Sequence, residues 1–220
     1  MITQDNYTEQ NRPFFSVVIC TYNRARILPR ALSSLLDQEF KDFEVLLVDD
    51  GSDDDTYFIY KEFRNKLLIR YLYHNHKGLP LSRNLGISSS IGKYITFLDS
   101  DDSYESNHLK TRYELLAAHP EVDLLYGGVR VVGNPFVPDI NNPNEMILIE
   151  KCIVGGTFFF KKELSRKLNG FKNLKYGDDT DFFLRAREIG ANILKTKINT
   201  YIYIRDQEDS ICNTQNIEKK

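Results

Sequence analysis

Residues 15–20 (FSVVIC) and 43–48 (FEVLLV) are near-continuous apolar runs with almost no alternation of polar and apolar side chains. A strand with one wet face alternates; a run like this marks a strand buried on both faces, as in a parallel sheet covered by helices. Each run is followed by a polar turn and a helical pattern. The first leads through Thr21-Tyr22-Asn23-Arg24 into a helix predicted over 27–38, with Leu28, Ala31, Leu32, Leu35 and Leu36 apolar. Pro29 falls in its first turn, where proline is tolerated. The second ends in Asp49-Asp50-Gly51-Ser52 and a short helix over 56–64. Strands over 67–73, 94–98 and 122–126 and helices over 81–90 and 107–118 continue the alternation, with a loop at 74–78. The pattern predicts one α/β domain with helices on both faces of the sheet.

Beyond residue 126 the character changes. Residues 133–144 carry Pro135, Pro138 and Pro143 and read as a loop. Residues 154–160 (VGGTFFF) read as strand-like after Gly155-Gly156, followed by a short helix over 162–168 stopped by Asn169-Gly170, a helix over 178–189, a strand over 198–204 and a polar tail over 213–220. The expected organisation is a polar segment over 1–13, then a domain over 14–212 whose halves meet at 127/128, then the tail.

The formal net charge of −2 and pI near 6.1 argue against a general nucleic-acid surface, which needs a basic excess. No run approaches the ~18 apolar residues of a membrane span, and residues 1–12 have no apolar signal core. Cys20, Cys152 and Cys212 are odd in number and widely spaced, fitting neither a disulfide framework nor a zinc site. A reducing cytoplasm is the expected setting, with peripheral attachment to the inner membrane face left open.

Residues 94–102 (YITFLDSDD) run from a β-rich stretch into Asp99, Asp101 and Asp102. On a strand, residues two apart share a side, so Asp99 and Asp101 are expected to face one site. A hard divalent cation, Mg²⁺ or Mn²⁺, relieves such a cluster, and one held by one or two carboxylates suits a phosphate-bearing ligand. The competing reading is an acidic loop that caps the next helix. Thr21 to Arg24, Asp49-Asp50 and Asp99 to Asp102 all fall at carboxyl ends of predicted strands, where open α/β sheets bind ligands. Asp49-Asp50-Gly51-Ser52 is also ordinary turn chemistry.

Other candidates are less specific. Arg83-Asn84 is expected to open a helix, placing a cation at an anion-favouring terminus. Asp178 and Asp179 begin a helical pattern, where Asp178 serves equally as an N-cap. His74 and His76 lie in a loop, either touching a ligand or solvated. No Walker A motif is present, and no G-x-G-x-x-G follows the first strand, which argues against a nicotinamide or flavin site.

Taken together, 16–24 (SVVICTYNR), 48–52 (VDDGS), 82–87 (SRNLGI), 97–102 (FLDSDD) and 177–181 (GDDTD) occur in the order and spacing of a known family. The chain closely resembles family 2 glycosyltransferases of the GT-A fold, from about residue 14 to residue 211. The resemblance implies a nucleotide-binding, Rossmann-like mixed sheet in a single domain. It implies inverting transfer of a hexosyl or N-acetylhexosaminyl group from a nucleoside diphosphate sugar, UDP favoured, to a hydroxyl of a glycan or lipid-linked acceptor. By motif position, Asp50 would accept from the base, with Thr21 and Tyr22 lining the same pocket. Asp99 would contact the ribose, Asp101 would bind Mn²⁺ or Mg²⁺, Arg83 would lie near the donor, and Asp179 would be the general base. Surface polysaccharide or lipid-linked glycan synthesis is the expected setting.

Three departures from the family pattern stand out. Asp178 replaces the usual Glu of the acidic pair. Gln207 stands where a His is common in the run 205–211. The chain ends soon after that run. Two other readings remain: a catalytically inactive nucleotide-sugar-binding relative, and a sugar nucleotidyltransferase, which would carry a Gly-rich basic loop in place of Thr21 to Arg24. An EF-hand counted from Asp99 fails, with Tyr104 and Lys110 where Gly and Glu are needed.

Overall fold

The computed structural model describes residues 12–139, 142 and 144–205. In chain order its elements are β1 (Phe15–Thr21), α1 (Leu28–Leu36), β2 (Phe43–Asp49), α2 (Thr56–Phe63), β3 (Ile69–Tyr73), α3 (Leu79–Ser89), β4 (Tyr94–Phe97), β5 (Ser103–Tyr104), α4 (His108–Ala118), β6 (Leu124–Tyr126), β7 (Val129–Gly133), β8 (Phe136–Pro138), β9 (Met146–Leu148), β10 (Phe159–Lys161), α5 (Lys162–Lys167), α6 (Asp178–Glu188), β11 (Ile193–Lys195) and β12 (Tyr201–Arg205). The main sheet runs β11-β6-β10-β4-β1-β2-β3. Strands β3, β2, β1 and β4 are mutually parallel, β10 inserts antiparallel between β4 and β6, and β11 runs parallel to β6. The sheet is therefore mixed, and β10 and β11 join it from the later part of the chain.

The missing alternation in β1 has a direct cause. Val17 and Ile19 pack on one side with Leu28, Leu32 and Leu35 of α1, while Val18 packs on the other with Ile87, Phe160 and Phe182. Both faces are dry. The one charge in β2, Glu44, is buried but satisfied: Ser16 Oγ donates to it at 2.6 Å, the Ile91 N–H at 2.8 Å, and Arg70 at 2.7 and 3.1 Å. A buried carboxylate held this fully closes the amino-terminal end of the sheet. The carboxyl ends of β1, β2 and β4 are left as the open edge, and the strand order reverses between β1 and β4 there.

Several expectations need correction. The strand-like run expected after Gly155-Gly156 starts later, since a 3-10 turn at Gly155–Thr157 precedes β10 at Phe159–Lys161. A Cβ on Gly156 would lie 2.2 Å from Tyr201 Oη, so the glycine serves close approach rather than a strand. The loop predicted over 133–144 contains β8, which pairs antiparallel with β9. A two-stranded ribbon is all edge, where Pro138 is tolerated. Helix α3 begins at Leu79, ahead of the predicted 81, because Gly78 supplies a φ of 92° and Pro80 suits the first turn. Arg83 therefore sits in the second turn and not at the helix start. The final strand begins only at Tyr201, since the Ile198 carbonyl turns to accept from Arg112 and from the Thr200 N–H. Strands β5, β7 and β11 went unforeseen, at 2, 5 and 3 residues. The expectations for the N-terminal segment before Arg12, for Gln207, for Cys212 and for the tail lie outside the described residues.

Candidate active site

The turns after β1 and β2 are zipped together. The Asn23 N–H donates to Ser52 Oγ at 2.9 Å, the Asp53 N–H to Asn23 Oδ1 at 3.0 Å, and the Ala25 N–H to the Asp54 carboxylate at 2.8 Å. Asn23 has φ 51°, a left-handed conformation that Asn adopts more readily than most residues. The turn leaves the Tyr22 ring 43% exposed at the rim. Below it, Thr21 Oγ1 is buried without a hydrogen-bond partner.

The two acids ending β2 are engaged differently. Asp49 accepts from the Ser52 N–H at 2.8 Å and from the Tyr71 hydroxyl. Asp50 accepts from the backbone N–H groups of Lys77 at 2.7 Å and Gly78 at 2.9 Å. His76 Nδ1 lies 2.9 Å from the same carboxylate, and its ring stacks on Tyr22 with centroids 4.1 Å apart. His74 Nδ1 is 3.5 Å from Asp50 and its Nε2 is 3.1 Å from Ser82 Oγ. Both histidines therefore face Asp50 rather than standing free in solvent.

Arg83 is the centre of the arrangement. It is buried, with its guanidinium over the rings of Phe97 and Phe171. Nη1 donates to Asp178 at 2.6 Å, and Nη2 lies 3.5 Å from Asp99. Burial alone would weaken its proton affinity, but Asp178, Asp99 and Asp179 outweigh that and hold the cation firmly. Phe171 is fixed in turn by Asn84, which accepts from its N–H and donates to its carbonyl, both at 2.8 Å.

Asp178 is not the N-cap of α6. That position is Gly177, with φ 74° and no side-chain cap, and the Asp178 carboxylate turns to Arg83 instead. Asp179 accepts from the Gly155 N–H at 3.0 Å and from the Thr180 N–H at 2.7 Å. Burial raises its pKa to about 6, with Arg83 opposing and Asp178 reinforcing the shift. A Cβ on Gly155 would sit 3.0 Å from Asp179 Cβ and 3.3 Å from Arg83, so the 3-10 turn closes directly on this pair.

The acidic stretch after β4 does not continue the strand. It turns, with the Asp102 N–H donating to the Asp99 carbonyl at 3.0 Å, so strand alternation stops at Phe97, while Asp99 and Asp102 share the Tyr201 hydroxyl and Asp99 stays near Asp101. Asp99 meets Arg83. Asp102 is buried and accepts from Tyr201 Oη at 2.7 Å and from the Ile204 N–H at 2.8 Å. The Asp101 carbonyl accepts from Arg30. Burial, then Asp99, pushes the Asp101 carboxyl up to about 6 against the pull of Arg24 and Arg30. Among the described residues no group of three or more His, Cys, Asp or Glu is arranged around one point as a metal cage. The donor set instead fits a hard cation held by one carboxylate, Asp101, with its other positions left to phosphate and water.

Sequence reasoning missed Tyr201, Phe171 and the glycine pair as site residues, and left His76 open between a ligand contact and a solvated loop residue. The Gly155-Gly156 doublet was the one visible signal among them.

The comparisons with known proteins agree. The family model described as Glycosyl transferase family 2 matches residues 16–189. A glycosyltransferase of PGL/p-HBAD biosynthesis from Mycobacterium bovis is 32% identical over 179 residues, 79% of this chain and 70% of that protein. An uncharacterized glycosyltransferase from Rickettsia felis is 40% identical over 101 residues, 46% of this chain but 17% of that protein. Among solved structures, S. aureus TarS 1-349 in complex with UDP-GlcNAc superposes with a TM-score of 0.76 at 25% identity, over 90% of this chain and 60% of that one. The mannosyltransferase PcManGT from Pyrobaculum calidifontis, in complex with GDP-Man and Mn²⁺, gives a TM-score of 0.70 at 20% identity, over 87% and 56%, a likeness of fold. The chain thus spans less than two thirds of both solved structures and about a sixth of the Rickettsia protein. Among the described residues no helix is long and apolar enough to cross a membrane.

Proposed function

The chain belongs to glycosyl transferase family 2, and on that premise we propose that it moves a sugar from a nucleoside diphosphate, UDP by preference, to an acceptor hydroxyl with inversion at the anomeric carbon. The observation that carries this reading is the position of Arg83, which gathers Asp99 from the β4 end and Asp178 from the start of α6, next to Asp179. A donor-side acid and a base-side acid thereby share one buried cation.

In this reading the nucleoside lies over Thr21, Tyr22 and Asp50, and the unpartnered Thr21 hydroxyl supports a polar ligand there. Asp99 takes the ribose. A divalent cation, when bound at Asp101, would supply charge stabilisation for the departing diphosphate. Asp179 takes the proton of the acceptor hydroxyl as its oxygen attacks the anomeric carbon and the bond to the diphosphate breaks. A pKa near 6 leaves Asp179 ionised at neutral pH yet basic enough to accept a proton. No covalent intermediate is required. Residues 14–127 hold the donor and 128–212 the acceptor, a glycan or lipid-linked glycan of surface polysaccharide synthesis, at the cytoplasmic side of the membrane. The UDP-GlcNAc bound by TarS supports the choice of nucleotide.

Thermal-shift titration with UDP, GDP, dTDP and CDP sugars, with and without Mn²⁺, tests the donor, because a bound ligand raises stability by mass action. UDP sugars in Mn²⁺ should give the largest shift. No shift with any of them would remove the reading, and retention of the donor anomer in the product, seen by NMR, would remove the inverting mechanism.

A further inference from the structure

The two residues assigned above to base recognition are both already in contact with one side chain. The His76 ring lies parallel to Tyr22 to within 29°, centroids 4.1 Å apart, and its Nδ1 is 2.9 Å from the Asp50 carboxylate and 3.2 Å from the Asp50 carbonyl. Both of those oxygens are acceptors, so Nδ1 carries the hydrogen. A flat heterocycle stacked on Tyr22 and presenting a ring N–H to Asp50 is the description of a uracil bound in that slot. We propose that His76 is a built-in stand-in for the nucleobase: its imidazole fills the base slot in the nucleotide-free protein, and donor binding exchanges one ring for the other. The inference rests on the assignment of Tyr22 and Asp50 to the base.

The surroundings permit an exchange of side chain alone. His76 is 56% exposed at its side chain, so its departure opens no cavity in the core. The loop backbone stays in place. A Cβ on Gly51 would be 2.7 Å from the His76 backbone nitrogen, so the loop packs against the β2 turn as closely as glycine allows. The Lys77 and Gly78 N–H groups go on holding the Asp50 carboxylate in its orientation. What changes is the partner of one carboxylate lone pair and one aromatic face.

The device tunes affinity and leaves specificity with Asp50. An incoming base must replace a stacked ring that donates to Asp50. Uracil carries an N3–H and does so; cytosine has a bare acceptor at N3 and does not. The discrimination belongs to Asp50, and His76 lowers the apparent affinity of every base that must displace it by the same factor.

Calorimetric titration of UDP and CDP, in Mn²⁺, into wild type, His76→Ala and Tyr22→Ala tests this. Removal of a competing ring raises the binding-competent fraction, so His76→Ala should bind UDP about 3–10-fold more tightly, with the preference over CDP unchanged. Tyr22→Ala should bind UDP more weakly. In wild type, the ¹³C and ¹⁵N resonances of the His76 ring should move on saturation with UDP toward those of an unstacked imidazole. Unchanged or weaker UDP binding by His76→Ala, with Tyr22→Ala still impaired, overturns the stand-in and makes His76 a bystander or a direct nucleotide contact. UDP affinity indifferent to Tyr22→Ala overturns the base assignment itself, and the inference with it.

Discussion

Arg83 and Asp178, 95 residues apart in the chain, meet at 2.6 Å with both side chains buried. The pair locks α3 to the start of α6, so the helix carrying Asp179 is positioned by a residue from the nucleotide side of the fold. Removing one member leaves the other as an uncompensated buried charge. Arg83→Gln should therefore cost about 3–5 kcal/mol of stability. Arg83→Lys should lie between, because it keeps the charge and loses the planar fork that also covers Phe97 and Phe171. Urea denaturation of the three proteins measures this. An Arg83→Gln protein as stable as wild type would mean that Asp178 is solvated in solution.

The base assignment separates from a structural role by combining activity with stability. Asp179→Asn should lower kcat by roughly 10²–10⁴-fold, the usual contribution of a general base, with donor affinity nearly unchanged. In wild type the Asp179 carboxyl is protonated below about pH 6 and cannot accept a proton there. kcat should therefore rise with pH through about 6 and then level off. Saturating Mn²⁺ is needed in that titration to keep Asp101 ionised, since its carboxyl is also pushed up to about 6. The stability sign runs the other way. A carboxyl whose folded pKa exceeds its unfolded value loses stabilisation as pH rises toward the folded pKa. Asparagine removes that penalty, so Asp179→Asn at pH 8 should be no less stable than wild type. Near-normal transfer by this variant would leave the base unassigned.

The frame of the fold was legible because burial on both faces writes itself as unbroken apolar runs, and β1 and β2 begin where the runs begin. The turn motifs were legible because Asn23 and Gly51 sit at backbone angles that few other residues adopt. The half beyond Tyr126 was not. Its strands are short, and β10 owes its place to packing between β4 and β6 rather than to periodicity. The same holds for the site. Acids announce themselves by type, but their partners arrive from distant elements: Tyr201 from the last described strand, His76 from a loop, Gly155 from a 3-10 turn. Spacing placed Asp99 and Asp101 at the end of one strand; the strand ends at Phe97 and the chain turns from Asp99 to Asp102, so their nearness comes from the turn and not from strand alternation.

Tyr201 is the residue whose loss should show that the last described strand orders the acidic turn. Its hydroxyl donates to the buried Asp102, whose carboxyl is already raised by burial and by Asp101 and Asp99. Tyr201→Phe keeps the ring against Gly156 and removes the hydroxyl's bond to Asp102 together with its longer contacts to Asp99, which should cost about 1–3 kcal/mol. Gly156→Ala forces the contact apart and should be more damaging. Thermal melts rank the two, and a Tyr201→Phe protein with an unchanged melting temperature would show Asp102 satisfied by other donors.

Asp101 and Asp99 lie two residues apart yet face different neighbours, and this difference predicts which substitution touches the cation. Asp101 lies near Arg24 and Arg30 as well as Asp99, whereas Asp99 is drawn to Arg83 and Tyr201. Asp101→Asn should abolish the Mn²⁺-dependent strengthening of UDP binding while leaving metal-free binding near its wild-type value. Asp99→Asn should weaken UDP in both conditions, because its proposed contact is to the ribose. The asparagine variants keep side-chain volume, so the comparison isolates charge. Calorimetry with UDP in Mn²⁺ and in EDTA gives four affinities for the two variants, and Mn²⁺ electron paramagnetic resonance reads the metal independently of turnover. The reverse ranking, with Asp99→Asn losing the metal effect and Asp101→Asn keeping it, would move the cation to the Arg83 side of the turn. Identical UDP affinities for wild type in Mn²⁺ and in EDTA would remove the cation from donor binding altogether.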